Sequence, residues 1–306
     1  MIKVFCIIVS YNAMPWIERC LLAIGNQAEV IMVDNNSKDE TIAFVNSNFP
    51  NVLIFPQSTN LGFGKANNLG VSEGLKRGAT HVFLINQDVY IQPNTVSELV
   101  AFNLDNPTYG LLSPIHYNGK STELDFQFSK YITNSPLFTN QFFNKEANPK
   151  VLDVFFINAA AWLVSKACLS KVGGFDPMFF HYGEDENYCQ RARFHNIKIG
   201  VINSTFISHD REERESKPKI KFTDRYYTAY KKFIGLKYAN INMPFKQKEY
   251  RTEFFKALKN IVKSLVKLNF KEVKGYYKKL SLAKQTKKEI LNSRFINKSK
   301  GFHYIS

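Results

Sequence analysis

The sequence predicts an α/β protein with a doubly wound, mostly parallel sheet and a basic helical extension at its C-terminal end. The first observation is a set of short apolar runs, typical of strands buried on both faces of a parallel sheet. The second is that a helical pattern follows each run after a short connection, which favours right-handed strand–helix–strand units. These apolar runs span residues 2–9, 29–33, 52–56 and 81–86.

Charge is divided unevenly along the chain. Residues 1–210 contain 15 Lys and Arg against 18 Asp and Glu, and residues 211–306 contain 26 against 8. The corresponding net charges are −3 and +18, which together give the +15 of the whole chain. We predict a near-neutral domain over residues 1–235 and a basic helical extension over residues 236–306 that favours anionic partners.

Several protein classes are excluded by composition. No apolar run approaches the ~20 residues of a membrane span, and residues 1–10 are too short for a signal peptide. No nucleic-acid-reading motif is recognisable. The four cysteines lack CxxC spacing, so we expect reduced structural thiols in a cytosolic protein. They are Cys6, Cys20, Cys168 and Cys189.

The helices of the first half have recognisable limits. Pro15 suits the first turn of a helix that ends at Gly25, and Pro93 precedes another helix over residues 94–103. Further helices follow the polar segment 34–41 and the glycine-rich segment 60–70, the latter helix ending near Gly78.

The second half has a looser pattern. Residues 110–150 are rich in aromatic, Asn and Ser residues without clear periodicity, which predicts a long loop or small hairpin over the site. Residues 151–164 return to strand character and a short helix is expected over residues 165–171. Two strands, over residues 197–201 and 205–208, then lead to His209.

Two helices are expected in the basic region, over residues 223–233 and from about Glu249. The second carries apolar residues at three- and four-residue steps, with lysines elsewhere, which is the pattern of an amphipathic helix. Two interpretations stay open: docking on the domain with a solvated lysine face, or an in-plane membrane helix held by anionic lipid. The apolar positions are Phe254, Leu258, Ile261, Leu265 and Leu268.

The most informative stretch is residues 172–191, VGGFDPMFFHYGEDENYCQR. Glycine and Asp-Pro turn signals precede an aromatic cluster and three adjacent acids, Glu184, Asp185 and Glu186, at the start of a predicted helix. Acids favour helix N-termini because of the macrodipole, so a purely structural role is one interpretation. A carboxylate beside aromatic rings is also suited to general-base chemistry.

Polar residues also follow the predicted strands. Ser10 and Tyr11, then Asp34, then Asn86 to Asp88 stand at carboxyl ends of strands, where ligands of α/β sheets bind. A carboxylate such as Asp88 suits a divalent cation that bridges phosphates. His209 ends a later strand and is either structural or a metal ligand. We therefore expect one site at one edge of the sheet.

These segments, taken together, resemble the family 2 glycosyltransferases of the GT-A fold, and within them the rhamnosyltransferase-like branch. The similarity extends over roughly residues 1–235. The matching segments are IIVSYN at 7–12, VDNNSKDET at 33–41, NLGFGKANNLG at 60–70, INQD at 85–88, residues 172–191, and His209.

The resemblance implies inverting transfer of a sugar from a nucleotide-sugar to an acceptor hydroxyl. Asp185 matches the general base, Asp34 would receive the nucleotide base, and Asp88 with His209 would hold Mg²⁺ or Mn²⁺ on the diphosphate. Further donor contacts are expected at Ser10, Tyr11, Asn60, Lys65 and Asn86. Contacts to acceptor or sugar are expected at Asn158, Trp162, Glu184 and Arg191.

The chain departs from the family pattern at three places. Asn86 stands where the DxD motif has its first Asp, which predicts weaker metal binding or a dispensable metal. Asn187 replaces a frequent second acid, which affects acceptor or donor contacts rather than the base. Ala159 and Ala160 follow Asn158 where a glycine is common, which predicts a tighter sugar pocket.

The expected function is extension of a cell-surface polysaccharide or glycolipid from a dTDP-rhamnose or UDP-sugar donor. The expected location is the cytoplasm, peripheral on the inner membrane face, with a glycan or lipid-linked acceptor, an anionic membrane surface and no nucleic acid as partners. Oligomeric state stays open, with a homodimer as one expectation. One alternative is a catalytically silent nucleotide-sugar-binding subunit. A nucleotidyltransferase is the other, although Ser10-Tyr11-Asn12 lacks its glycine-rich signature.

Overall fold

A computed structural model describes residues 1–143, 150–211 and 220–305. Contacts divide these residues into two units. The first comprises the described residues up to 211 together with residues 300–305, and the second comprises residues 220–299. The division differs from the predicted boundary at 235, because helix 224–239 groups with the second unit and residues 300–305 return to the first.

The first half of the first unit is a parallel sheet with intervening helices, as predicted. Strands occur in the order β3-β2-β1-β4, and all three pairings are parallel. The elements are β1 (Val4–Ser10), α1 (Ile17–Ile24), β2 (Glu29–Asp34), α2 (Thr41–Asn48), β3 (Leu53–Pro56), α3 (Phe63–Lys76) and β4 (His81–Asn86).

The second half completes a mixed sheet. From β4 the order continues β8-β6-β9-β5, with β7 paired to β9; only β6 and β9 are parallel among these neighbours. The elements are β5 (Val89–Ile91), α4 (Thr95–Asp105), β6 (Leu111–Asn118), α5 (Phe126–Thr133), α6 (Pro136–Phe143), β7 (Val151–Asp153), β8 (Ala161–Ser165), α7 (Lys166–Val172), α8 (Glu184–Phe194) and β9 (Ile199–His209).

Residues 110–150 are more regular than the predicted loop or hairpin. They contain β6 and the helices α5 and α6, and residues 144–149 lie outside the described part of the chain. Asp125 caps α5 by accepting a hydrogen bond from the Phe128 N–H at 2.8 Å. The apolar residues of α5 divide between a buried face and an exposed Phe126, which obscures the helical period in the sequence.

Two strand predictions also change in detail. Residues 151–164 form two short strands, β7 and β8, instead of one. Residues 199–209 form one strand, β9, whose pairing with β6 shifts register between Pro114 and Ile115. Proline lacks an N–H, so a break in the ladder at Pro114 follows from its chemistry.

The two faces of the sheet are both covered, because alternate residues of the central strand are buried on opposite sides. Phe5 and Ile7 pack in one apolar cluster with α3 and α8, and Cys6 and Ile8 pack in the other with α1 and α4. All four cysteine side chains are buried, and burial raises the pKa of the Cys168 thiol to about 12.

The second unit consists of helices. They are α9 (Asp224–Ala239), α10 (Gln247–Val266) and α11 (Phe270–Asn297). The tyrosine hydroxyls of Tyr227 and Tyr250 donate to the Gly275 and Ala283 carbonyls of α11, at 2.9 and 2.7 Å. Among the described residues, no helix combines the length and apolar character that crossing a membrane requires.

Candidate active site

The carboxyl ends of β1, β2 and β4 lie side by side. Register pairs Ser10 with Asp34 across β1 and β2, and Val9 with Asn86 across β1 and β4. The Tyr11 N–H donates to the Gln87 side chain at 2.8 Å, which joins the segments after β1 and β4. The structure therefore brings Ser10, Asp34 and Asn86 together at one edge, as the sequence pattern predicts.

Asp34 organises this edge from within. Its carboxylate is fully buried and accepts hydrogen bonds from the Ser10 hydroxyl at 2.9 Å and the Ser37 N–H at 2.8 Å. The Ser37 hydroxyl donates to it as well. Asp34 therefore fixes the loop after β2, and in this conformation it presents no surface to a ligand.

The segment before α3 joins the same edge through Asn35. The Asn35 side chain accepts from the Leu61 N–H at 3.0 Å. Gly62 has φ +78°, and a Cβ there would lie 2.3 Å from the carbonyl oxygen of Phe180, so only glycine fits. Asn60 and Lys65, on either side, have exposed side chains that a ligand can reach.

Asp88 and His209 face each other across β5 and β9. The register pairs Val89 with His209, and the His209 Nε2 lies 3.5 Å from the Asp88 carboxylate. Both side chains are buried, and the Nδ1 of His209 has no hydrogen-bond partner among the residues that the structure describes.

A divalent cation fits this pair in part. Within the described ranges, no group of three or more His, Cys, Asp or Glu residues is arranged to hold a metal. Mg²⁺, however, is commonly bound by one or two carboxylates together with substrate phosphates and water. One carboxylate and one imidazole nitrogen therefore match a cation whose remaining ligands come from a diphosphate.

The acidic triplet occupies the first turn of α8. Gly183 precedes the helix, and the acids Glu184, Asp185 and Glu186 follow in order. Asp185 is half-buried and accepts from the Glu186 N–H at 2.8 Å, whereas Glu184 is buried. A Cβ on Gly64 in α3 would lie 3.7 Å from the Glu184 Cβ, so α8 begins beside the start of α3.

Helix α5 contributes residues that the sequence did not single out. Burial raises the pKa of the Tyr131 hydroxyl, and the negative charge of Asp185 raises it further. Asp125, which caps α5, is paired with the guanidinium of Arg211, two residues after His209. Arg211 could have been found from the sequence, because it lies two residues after His209, whereas no sequence pattern marks Tyr131.

Two predicted ligand contacts lie beneath the site instead of in it. Trp162 is fully buried and stacks on Phe175, with ring centroids 6.0 Å apart. Arg191 is 1% exposed and donates to the carbonyls of Val172 and Gly174, each at 2.7 Å. Both side chains support the turn before α8, and their burial leaves no surface for an acceptor.

Asn158 is placed differently. It is almost buried, yet its side-chain carbonyl has no hydrogen-bond partner among the described residues. An unsatisfied buried acceptor is costly and commonly awaits a ligand or water. The Asn86 N–H bonds to Ala160, two residues further on, which brings the Asn158 segment to the strand-end edge.

Comparison with known proteins identifies relatives of this chain. The model of the family "Glycosyl transferase family 2" matches residues 5–173. A low-salt glycan biosynthesis hexosyltransferase of Haloferax volcanii is 23% identical over 240 residues, covering 73% of this chain and 74% of that protein. An N-acetylglucosaminyl-diphospho-decaprenol L-rhamnosyltransferase of Mycobacterium tuberculosis is 25% identical over 208 residues, covering 60% and 68%.

Solved structures share the fold at low sequence identity. S. aureus TarS 1–349 in complex with UDP superposes with a TM-score of 0.53 at 15% identity, covering 97% of this chain and 90% of that one. GalNAc-T7 with UDP, GalNAc and Mn²⁺ gives a TM-score of 0.56 at 10% identity, covering 100% and 56%. The chain therefore belongs to glycosyl transferase family 2 and is a glycosyltransferase of the GT-A fold.

Proposed function

We propose that this enzyme transfers a sugar, with inversion, from a nucleoside-diphosphate donor to a hydroxyl of a glycan or lipid-linked acceptor. The observation that carries the proposal is the meeting of three segments at one sheet edge: the strand ends with Ser10, Asp34 and Asn86, the Asp88–His209 pair, and the acidic start of α8.

The nucleotide would bind above the ends of β1 and β2. Tyr11 is 47% exposed, and the side chains of Asn60 and Lys65 are exposed as well, so these residues would contact base, ribose or phosphate. Ser10 and Asp34 would act from beneath, because their hydrogen bonds shape the loop on which the base rests. This assigns Asp34 a supporting role.

The diphosphate would lie at the Asp88–His209 pair, with Asn86 beside it. A cation held there would act as a Lewis acid on the departing diphosphate. The chain's own contribution is position: Asp88 immediately precedes β5, which pairs with the end of β9 at His209, and the Asp210 N–H donates to the Asp88 carbonyl at 2.8 Å. This arrangement holds the Asp88 carboxylate 3.5 Å from the His209 Nε2.

Asp185 would accept the proton of the attacking hydroxyl. Inversion requires the acceptor oxygen to approach the anomeric carbon opposite the leaving diphosphate while a base removes its proton. The half-buried carboxylate of Asp185 lies in the first turn of α8, which begins beside the start of α3. The side-chain carbonyl of Asn158, which has no hydrogen-bond partner among the described residues, supports Asn158 as a contact to a sugar hydroxyl. Glu184, in the same turn as Asp185, would be a further contact to sugar or acceptor.

The donor would be dTDP-rhamnose or a UDP-sugar. One relative is named for rhamnosyl transfer to a lipid diphosphate, and one fold neighbour was solved with UDP-GlcNAc. The loss of a carboxylate at Asn86 favours a second candidate, a nucleotide-sugar-binding subunit without catalysis.

Substitution of Asp185 by Asn tests the proposal. Loss of a general base should lower kcat by about 10²- to 10⁴-fold, while the donor Kd changes less than threefold. Sugar transfer would be followed by chromatography with a lipid-linked saccharide, and donor binding by calorimetry. Glu186→Gln is the matched control, since Glu186 is also half-buried in the same turn.

Two outcomes would contradict the proposal. Donor binding by the wild-type protein without turnover of any donor and acceptor would support the silent subunit. A loss of donor affinity in Asp185→Asn equal to its loss of rate would assign Asp185 to donor binding.

We also propose that the second unit holds the enzyme at the inner, cytoplasmic face of a membrane. Residues 220–299 contain 21 Lys and Arg against 5 Asp and Glu. Helix α10 packs through Tyr250, Glu253, Ala257 and Ser264, which are its buried residues. Apart from Tyr250, the residues that α10 buries are therefore small or polar.

Most of the larger apolar residues of α10 point away from that packing, whereas Phe254 and Ile261 are half-buried. Together with the turn to α11, they form what we call the apolar face: Phe255, Leu258, Val262, Leu265, Val266, Leu268 and Phe270, all exposed. At 100° per residue the helical members share one side, with lysines along its border. Apolar side chains flanked by lysines complement an anionic bilayer interface.

That two copies of this chain form a homodimer stays a prediction.

A further inference from the structure

The turn before α8 is held by a segment distant in sequence. Residues 172–176 connect α7 to the aromatic cluster and α8. Gly173 adopts φ +77°, a conformation that favours glycine. Residues 300–305 return to this turn after the helical unit and belong to the first unit by their contacts.

The contacts of the return segment, residues 300–305, are specific. The Gly174 N–H donates to the carbonyl of His303 at 2.8 Å, and a Cβ on Gly173 would lie 2.5 Å from that carbonyl. The Tyr304 hydroxyl donates to the Asp176 carboxylate at 3.3 Å. Ile305 packs against the apolar cluster beneath the sheet.

The same turn is also bound by residues of the enzyme core. Asn68 of α3 accepts from the Phe175 N–H at 2.7 Å and donates to the Phe175 carbonyl at 2.8 Å. Arg191 of α8 donates to the carbonyls of Val172 and Gly174. Backbone polar groups of the turn are thus shared between α3, α8 and the return segment.

The arrangement connects the return segment to the proposed base. Arg191 also donates to Asn187 at 2.9 Å, within the same helix that begins with Asp185. The guanidinium of Arg191 lies 5.9 Å from the Tyr304 ring centroid. A displacement of the turn would therefore move the partners of Arg191 and, through them, the first turns of α8.

We propose that residues 303–305 are a positioning segment of the active site, which holds the 172–176 turn so that Asp185 faces the acceptor. The inference rests on the proposed function of Asp185. The inference goes beyond that proposed function, because it assigns a contribution to catalysis to residues that are not proposed to contact donor or acceptor. Preorganisation of a catalytic group by such support is a general source of rate.

The test removes the segment and then supplies it separately. A variant lacking residues 302–306 should lose at least tenfold in kcat, with a donor Kd within twofold of wild type. The peptide KGFHYIS, added at millimolar concentration, should restore part of the rate, whereas KGFHAAS should not. Tyr304→Phe, which removes the hydroxyl that bonds to Asp176 and keeps the ring, should have a smaller effect of the same kind.

Amide exchange distinguishes this inference from the proposed function. In the truncated variant, exchange over residues 173–187 should increase, and the peptide should reverse the increase, whether or not transfer occurs. Unchanged exchange, or increased exchange with unchanged kcat, would overturn the positioning role. If the wild-type protein transfers no sugar while exchange responds as stated, the proposed function fails and the structural contact stands. Equal losses of kcat and donor affinity in the truncated variant would indicate general destabilisation, and this result would also overturn the positioning role.

Discussion

Side chains at the sheet edge differ in the surface they offer, and this separates their roles. Tyr11, Asn60 and Lys65 are exposed and available to a donor, whereas Ser10 and Asp34 are fully buried and hydrogen-bonded to each other. Both oxygens of the Asp34 carboxylate accept hydrogen bonds from Ser10 and Ser37, and charge-assisted bonds of this kind fix the loop after β2. The residue pattern predicts the site, and burial decides how each residue takes part.

At this scale we predict the effect of Asp88→Ala. Because Asp88 supplies the carboxylate of the Asp88–His209 pair, its loss should raise the donor Kd measured with Mn²⁺ by about tenfold or more. The Kd measured in EDTA should change much less. Calorimetric titration of donor nucleotide with and without Mn²⁺ makes the comparison.

The matched control is Asp105→Ala, an exposed carboxylate at the end of α4. It should leave both affinities as in wild type. Identical Mn²⁺ titrations for Asp88→Ala and wild type would refute the role of Asp88.

Not all site residues were accessible to sequence reasoning. Strand-end polar groups such as Asp34 and Asp88 have a local signature, because the strand pattern itself marks the edge. Arg191 is a charged residue in a predicted helix and Trp162 lies in an apolar strand, and neither pattern shows that both side chains are buried under the turn. Only packing reveals that their polar atoms face inward.

Individual elements are joined by buried polar contacts as well as by the core. At the start of β4, His81 bonds to Asn103 of α4 at 2.9 Å through Nε2, and its Nδ1 lies 3.0 Å from the Thr80 hydroxyl. Burial lowers the pKa of His81, and the bond to Asn103 offsets only part of this effect. His81 is therefore neutral in the folded protein over a range in which an unfolded chain is protonated.

The sign of the pH dependence follows from that difference. As pH falls through the ordinary histidine range near 6.5, the unfolded state takes up a proton that the folded state resists, so stability decreases. His81→Gln should therefore reduce the fall in Tm between pH 7.5 and 5.5. It should not abolish the fall, because burial also holds the pKa of His116 well below its ordinary value.

Scanning calorimetry over this pH range measures the effect. Wild-type protein, measured in parallel under the same conditions, is the control. A slope for His81→Gln as steep as that of wild type would contradict the argument.

Elements with strong periodicity were predicted well, and those without it were not. The continuous apolar runs of β1, β2 and β4 and the helices α1, α3 and α4 match their predicted positions. Helices α5 and α6 were expected as loop, because aromatic and polar residues alternate there without a helical period. Helix α11 was not predicted, since its lysines recur on nearly every side.

Across the whole molecule, charge is concentrated in the second unit, where the apolar face of α10 is exposed. Val266 and Leu268, at the turn to α11, are 81% and 74% exposed. Full burial of one such side chain contributes about 1.5–3 kcal/mol, and each nearby lysine about 1 kcal/mol at an anionic surface. Together these contributions support the peripheral membrane binding that we propose.

We predict that Val262→Ser with Leu265→Ser and Val266→Ser lowers binding to vesicles of anionic phospholipid by about tenfold or more. Co-sedimentation with 30% phosphatidylserine vesicles provides the measurement. Binding of wild type should also weaken as NaCl rises, because salt screens the lysines. Point variants are preferable to deletion of the C-terminal region, which would also remove the return segment.

Leu22→Ser with Leu104→Ser is the control, since these leucines of the first unit are exposed as well. It should bind vesicles as wild type does. Equal sedimentation of the triple variant and the control would assign the apolar face to another role, as would binding that is insensitive to salt.

The sequence by itself determined the fold class, the strand-end edge and the acidic turn, because periodicity and turn chemistry are local properties of the chain. The tertiary structure decided the mixed pairing of the second half of the sheet and the burial of Arg191, Trp162 and Asp34. It also decided the outward direction of the apolar face and the return of residues 300–305 to the first unit. These depend on contacts between residues far apart in the chain, and no local pattern records which surfaces meet.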